Sequence, residues 1–169
     1  MRVGRWSLLL CSLLSLAPGV GWAAEEAAPI TITADSLEVN RKGRVAIYRG
    51  NVTASDQGRG ISILADRIEF YFDERMEEID RAAATGSVRL SHGERRGVAE
   101  RAEYYPQEER VVLLGHPKVW QASDVVSGCR ITLHLREDRS QVEGCEGERV
   151  NAVLYPKRGE GRERGATRR

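Results

Sequence analysis

The chain has 169 residues, with 26 Lys and Arg against 25 Asp and Glu, a formal charge of +1, 41% hydrophobic residues and only 6% aromatic ones. That length fits one domain able to bury about two thirds of its unfolded surface. The first 23 residues carry +2 and the stretch from Lys157 to Arg169 carries +4, leaving a body near −5, which argues against nucleic acid as the partner.

In chain order, the first expected element is an export signal. Arg2 and Arg5 precede an apolar run from Trp6 to Leu16, and Gly21-Trp22-Ala23 supplies small residues where a signal peptidase reads. The run is too short to span a bilayer and is followed by Pro18 and Gly19. Cys11 follows Leu10 inside this run, not a small residue of a lipoprotein cleavage site. Cleavage after Ala23 divides the chain into a signal (1–23), a folded domain (24–156) and a basic tail (157–169).

The domain reads as strands throughout. Ile30 and Ile32 alternate with Thr31 and Thr33. Leu37 and Val39 are answered by Val45 and Ile47 across a turn at Asn40-Arg41-Lys42-Gly43. Ile61 and Ile63 lead to Ile68, Phe70 and Phe72. The weakly patterned stretch from Asp73 to Ala84 reads as strand and loop. Tyr104 precedes a turn at Pro106-Gln107-Glu108-Glu109, and Val111 to Leu114 returns from it. Ile131, Leu133 and Leu135 follow, then Val150 to Tyr155. Beyond Pro156 there is no apolar period and much glycine, the composition of a disordered tail.

One pattern recurs four times. A small residue precedes a polar one and an alternating strand: Ala34-Asp35-Ser36, Ala65-Asp66-Arg67, Ala99-Glu100-Arg101 and Gly128-Cys129-Arg130. Three copies reach a second strand through a glycine, at Gly50-Asn51-Val52, Gly86-Ser87-Val88 and Gly115 to Val119. Such spacing marks one supersecondary unit stacked on copies of itself. The apolar positions also change parity at these steps: Ile61, Ile63 and Ala65 are odd, whereas Ile68 and Phe70 are even. The side-chain period of a strand is two, so each slip predicts an extra residue at a corner where the strand passes between sheets.

Cys129 and Cys145 flank a hairpin around Glu137-Asp138-Arg139. With Cys11 removed along with the signal, two of the three cysteines remain, and an even count in an exported chain predicts a disulfide; with no paired Cys-x-x-Cys a metal site is not expected. His92, His116 and His134 are scattered, no nucleophile elbow or phosphate loop is present, and the run Glu69, Asp73, Glu74, Glu77, Glu78 and Asp80 reads as a solvated face rather than a glycosidase pair. Neither an enzyme nor a cofactor is expected. The aliphatic interior remains, either a filled core, the commoner outcome, or an apolar groove suited to acyl chains.

The signal, Ile30-Thr31-Ile32-Thr33-Ala34-Asp35-Ser36, Tyr48-Arg49-Gly50-Asn51-Val52, Ala65-Asp66-Arg67, Val111-Val112-Leu113-Leu114-Gly115 and Val150-Asn151-Ala152-Val153-Leu154-Tyr155-Pro156 together resemble the LptA/OstA family of periplasmic lipopolysaccharide-transport proteins of Gram-negative bacteria. The resemblance covers about residues 30 to 156. It implies an all-β, open-ended, slightly twisted antiparallel β-jellyroll, here of about four strand-pair repeats. Lipid A acyl chains would lie inside it, with Ile32, Leu37, Val39, Val45, Ile47, Val52, Ile63, Ile68, Phe70, Val88, Tyr104, Val112, Leu114, Ile131 and Leu133 expected to line the interior. Ile30 and Ile32 would form the edge toward an inner-membrane-anchored component. Val150, Ala152 and Leu154 would form the edge toward an outer-membrane translocon, with head-to-tail self-association. A lipid-free periplasmic scaffold assembling through its sheet edges is the alternative.

Overall fold

The computed structural model describes residues 28–156; the expected signal (1–23) and basic tail (157–169) lie outside the described residues. The alternation becomes twelve strands: β1 (Ile30–Thr33), β2 (Ser36–Asn40), β3 (Val45–Asp56), β4 (Ile61–Phe72), β5 (Ile79–His92), β6 (Arg95–Tyr105), β7 (Arg110–Leu114), β8 (Lys118–Gln121), β9 (Asp124–Ser127), β10 (Arg130–His134), β11 (Arg139–Glu143) and β12 (Asn151–Val153). No α-helix occurs among the described residues; Pro106–Glu108 forms one short 3-10 turn. The stretch from Asp73 is loop until β5 begins at Ile79. The Asp73 carboxylate closes that loop by accepting the backbone N–H groups of Glu77 (2.8 Å) and Glu78 (3.2 Å).

All pairings are antiparallel, and the four long strands β3 to β6 each belong to two layers. One layer runs β2-β3-β4-β5-β6-β7-β10-β11 and the other β1-β3-β4-β5-β6-β8-β9-β12. The layers face each other around one apolar cluster: Val52, Ile63 and Leu90 come from the second layer, Ile68, Tyr104 and Leu133 from the first. At Gly97 the layers approach so closely that a Cβ would stand 3.2 Å from Leu113 Cδ1. The result is an open-ended antiparallel β-jellyroll, with β1 and β2 forming one pair of free edges and β11 and β12 the other.

The corners fall at the expected steps. On β4 burial passes from Ile61, Ile63 and Ala65 to Ile68 and Phe70, and Asp66 and Arg67 both avoid the core. On β6 it passes from Gly97 and Ala99 to Ala102 and Tyr104. The residue without a counterpart, however, sits on the neighbouring strand. Between Arg49 and Val52, β3 inserts Gly50-Asn51 opposite the single residue Asp66. Between Thr85 and Val88, β5 inserts Gly86-Ser87 opposite Glu100. Gly50 and Asn51 have φ of 80° and 47°, Gly86 and Ser87 80° and 50°. This left-handed backbone is what lets the chain bulge and turn.

Candidate functional site

Residues paired directly across antiparallel strands share a face, so the register traces the interior row by row. One row runs Leu37, Tyr48, Ile68, Ala84, Ala102, Leu113, Ile131, Val142. A second runs Val39, Ala46, Phe70, Ala82, Tyr104, Val111, Leu133, Ser140. In the facing layer a third runs Ile32, Ala54, Ile63, Leu90, Gly97, Val119, Val126, Ala152. Each row crosses the molecule from one pair of edges to the other as a stripe, apolar throughout except that the second ends at the β11 edge on Ser140.

The middle of the stripe is closed. Ile131 and Leu133 are wholly buried, and the apolar cavity between the layers, lined by Ile63, Phe70, Ile79 and Tyr104 among others, holds about 30 Å³. That is space for about one water molecule, far below the several hundred Å³ of a ligand pocket. The ends are open. Leu37 and Val39 point inward yet are 53% and 51% exposed, because no strand lies beyond β2 to cover them. Ile30 at the same end and Val150 and Leu154 at the other are exposed as well, and Ala152 ends its row on the free strand β12.

Of the residues expected to line the interior, Val52, Ile63, Ile68, Phe70, Val88, Tyr104, Ile131 and Leu133 lie in the buried cluster, and Ile32 packs against it. Four assignments are corrected. Val45 pairs with Asn40 and Tyr71, Ile47 with Glu38 and Glu69, Val112 with Glu103 and Thr132, and Leu114 with Arg101 and Arg130, so the register puts all four on the outer side of the sheet, where Val112 is nonetheless covered by its neighbours (6% exposed). In Val45-Ala46-Ile47-Tyr48 the bulkier aliphatics are the outer ones, and Arg110-Val111-Val112-Leu113-Leu114 is apolar on both faces, so hydropathy misplaces the first and is silent on the second. Their neighbours Ala46, Tyr48, Val111 and Leu113 hold the inner positions. No local signal in either stretch distinguishes the two faces; only the register does.

Opposite the corners, where the ends of the strands meet, polar groups stitch the layers together. Tyr104 donates its hydroxyl to Asp56 across the interior (3.4 Å), and Asp56 also binds Arg59 (3.0 Å). Burial pushes the Tyr104 phenol well above its ordinary value. Three strands away from Asp56, Arg95 extends from β6 to the β10–β11 turn, with Nη2 2.6 Å from the Asp138 carboxylate and Nε donating to Gln121 (3.1 Å). Its side chain is 8% exposed and its buried Nη1 has no protein partner. Of these seam residues the sequence places only Tyr104 inside, since an isolated arginine or aspartate reads as surface.

The outer face carries two copies of one triad, Arg67-Glu69-Tyr71 and Arg101-Glu103-Tyr105, in which the carboxylate receives the tyrosine hydroxyl and the guanidinium. The tyrosine hydrogen bond first, then the arginine, holds each carboxyl below its ordinary range. A general acid needs the opposite shift, so these pairs suit a solvated sheet face. Cys129 and Cys145 are joined as a disulfide, with Cα atoms 5.8 Å apart. Glu148 lies close to both sulfurs, but a disulfide offers no thiolate to a metal.

Residues 31–139 match the family described as LptA/(LptD N-terminal domain) LPS transport protein. The lipopolysaccharide export system protein LptA of Escherichia coli K12 is 28% identical over 156 residues, covering 88% of this chain and 83% of LptA. The LPS-assembly protein LptD of Nitrosomonas europaea is 27% identical over 89 residues, 53% of this chain but only 12% of that much longer protein. The crystal structure of LptH, the LptA-homologous periplasmic component of the lipopolysaccharide transport device of Pseudomonas aeruginosa, superimposes with a TM-score of 0.68 at 20% identity, covering 76% of this chain and 96% of LptH, and shares the fold. With the family match spanning most of the jellyroll, the chain belongs to the LptA/(LptD N-terminal domain) LPS transport protein family.

Proposed function

We propose that this protein binds lipopolysaccharide in the periplasm and hands it from an inner-membrane-anchored export component to an outer-membrane translocon. The observation that carries this reading is the apolar stripe that crosses the jellyroll and is bare at both ends. Acyl chains lie along Leu37, Val39, Ile68, Phe70 and Leu133 with the sugars in water. A chain of about a dozen carbons gains on the order of 10 kcal/mol when removed from water, at about 0.8 kcal/mol per methylene. The export signal and cleavage after Ala23 belong to the same reading, as do the β1 edge (Ile30, Ile32) and the β12 edge (Val150, Ala152, Leu154) as docking edges for partners and for further copies. Unpaired strand edges are templates for such addition.

Photocrosslinking side chains placed at Leu37, Val39, Ile68 and Leu133 are expected to capture lipopolysaccharide in cells, while Ile47 and Glu69, on the outer face, are expected not to. Capture at the outer positions alone would remove the reading. The closed interior favours a second one, a lipid-free scaffold that assembles through its edges; it requires that the purified protein carry no lipid in native mass spectra.

A further inference from the structure

The disulfide occupies a place that the fold has already defined three times. In each of the first three corners an acidic side chain lies over a left-handed glycine. A Cβ on Gly50 would stand 2.2 Å from Asp35 Oδ2, one on Gly86 2.2 Å from Asp66 Oδ2, and one on Gly115 2.7 Å from Glu100 Oε2. The residue after the glycine reaches back where its side chain allows: Asn51 donates to Asp35 (3.1 Å) and His116 meets Glu100 (3.3 Å). The register is the same each time, for the residue after the acid pairs with the residue before the glycine: Ser36 with Arg49, Arg67 with Thr85, Arg101 with Leu114.

Arg130 pairs with Glu143 in that same manner, so by register Cys129 stands where the acid does and Gly144-Cys145 where Gly50-Asn51 do, although Gly144 is not left-handed and a Cβ on it would meet the Glu148 carbonyl (2.7 Å) rather than Cys129. The backbone agrees. Asp35 donates its N–H to the Arg49 carbonyl (3.1 Å), and Cys129 donates its N–H to the Glu143 carbonyl (2.8 Å). The fourth corner therefore replaces a hydrogen-bonded clasp with a covalent one. It is also the corner with least support. Each of the first three has at least one strand that runs on through both layers (β3 at the first, β4 and β5 at the second, β6 at the third), whereas at the fourth β10 begins at Arg130, β11 stops at Glu143, and residues 144–150 alone lead to β12, which pairs only with β9.

We propose that the Cys129–Cys145 disulfide is the covalent form of the corner clasp and sets the C-terminal docking edge. Oxidised, it holds β11 and β12, one from each layer, as a composite edge that accepts β1 and β2 of a second copy. Reduced, it releases β12 and with it half of that edge. A dithiol supplies the two electrons and two protons; the S–S bond breaks, two thiols form, and the donor closes its own disulfide. Cys145 is exposed and open to such a donor. The docking half rests on the head-to-tail stacking proposed above.

The test uses the full mature chain, oxidised and reduced, with two double variants: Cys129→Ser/Cys145→Ser, and Cys129→Asp/Cys145→Asn, which rebuilds the first corner's clasp. Amide exchange in Asn151–Val153 and self-association by sedimentation are measured together. Reduction and the serine pair are expected to raise β12 exchange and the association midpoint by roughly tenfold or more, with β4 unchanged. The Asp/Asn pair is expected to recover most of both. Equal β12 protection in oxidised and reduced protein, or an Asp/Asn pair indistinguishable from the serine pair, overturns the clasp. Detachment of β12 with unchanged association overturns the docking edge. An oxidised protein that stays monomeric at every concentration removes the stacking reading and the docking half together, while the exchange contrast still decides the clasp.

Discussion

Gly86 and Asp66 define how little room a corner leaves. Gly86 has φ of 80°, and a Cβ there would meet Asp66 Cβ at 2.8 Å as well as its carboxylate. Gly86→Ala is therefore expected to cost about 2 kcal/mol or more in urea unfolding, from left-handed strain plus displacement of Asp66. Adding Asp66→Ala is expected to relieve the displacement and leave the strain; a fully additive loss would show that the two do not touch in solution. Tyr104 makes a different prediction. Its phenol titrates higher in the folded chain than in the unfolded one, so its contribution is complete below the unfolded value near 10 and is lost as pH rises past it. Stability measured by denaturant between about pH 9 and 11 is expected to fall, and less steeply in Tyr104→Phe. A residual slope remains from Tyr71 and Tyr105, raised by their hydrogen bonds to Glu69 and Glu103.

For strands, position along a row matters more than residue type. Leu133 and Leu37 both face inward, but Leu133 has strands on either side and Leu37 sits on an edge. Leu133→Ala is expected to cost about 2–4 kcal/mol through the buried cavity it leaves, and Leu37→Ala less than about 1 kcal/mol, both read from urea midpoints. Similar losses would mean that β2 is covered in solution. The strands themselves were legible: alternation placed Ile61 to Phe72 correctly, and its parity slip marked the corner. Face was illegible where alternation failed, in Val45 to Tyr48 and in Arg110 to Leu114. Which face of an apolar run is inner depends on which strand it pairs with and in what register, and a one-residue choice moves every side chain to the other side.

For the whole molecule, the two layers pack on one apolar cluster and are stitched at the seam by polar contacts. Arg95 is buried and its partner Asp138 is 80% exposed, so solvent screens the pair. Asp138→Asn is expected to lower stability by only about 1 kcal/mol. It is also expected to speed capture of fluorescent lipopolysaccharide in stopped flow, since less holds the layers together; an unchanged rate would mean that ligand enters through the open ends instead.

By itself the sequence determined that the chain is a repeated set of bent strands, because period-two alternation with its parity slips, the recurring glycines and a thirty-residue spacing are written in the order of the residues. It also paired Cys129 with Cys145 across a hairpin. Only the tertiary structure decided that the interior is filled in its middle and bare at its ends, that Arg95 and Tyr104 stitch its seam, and that the disulfide stands where three other corners carry an acid over a glycine. Those facts join residues dozens of positions apart, and such distances are fixed by register and layer packing, to which no short stretch of sequence has access.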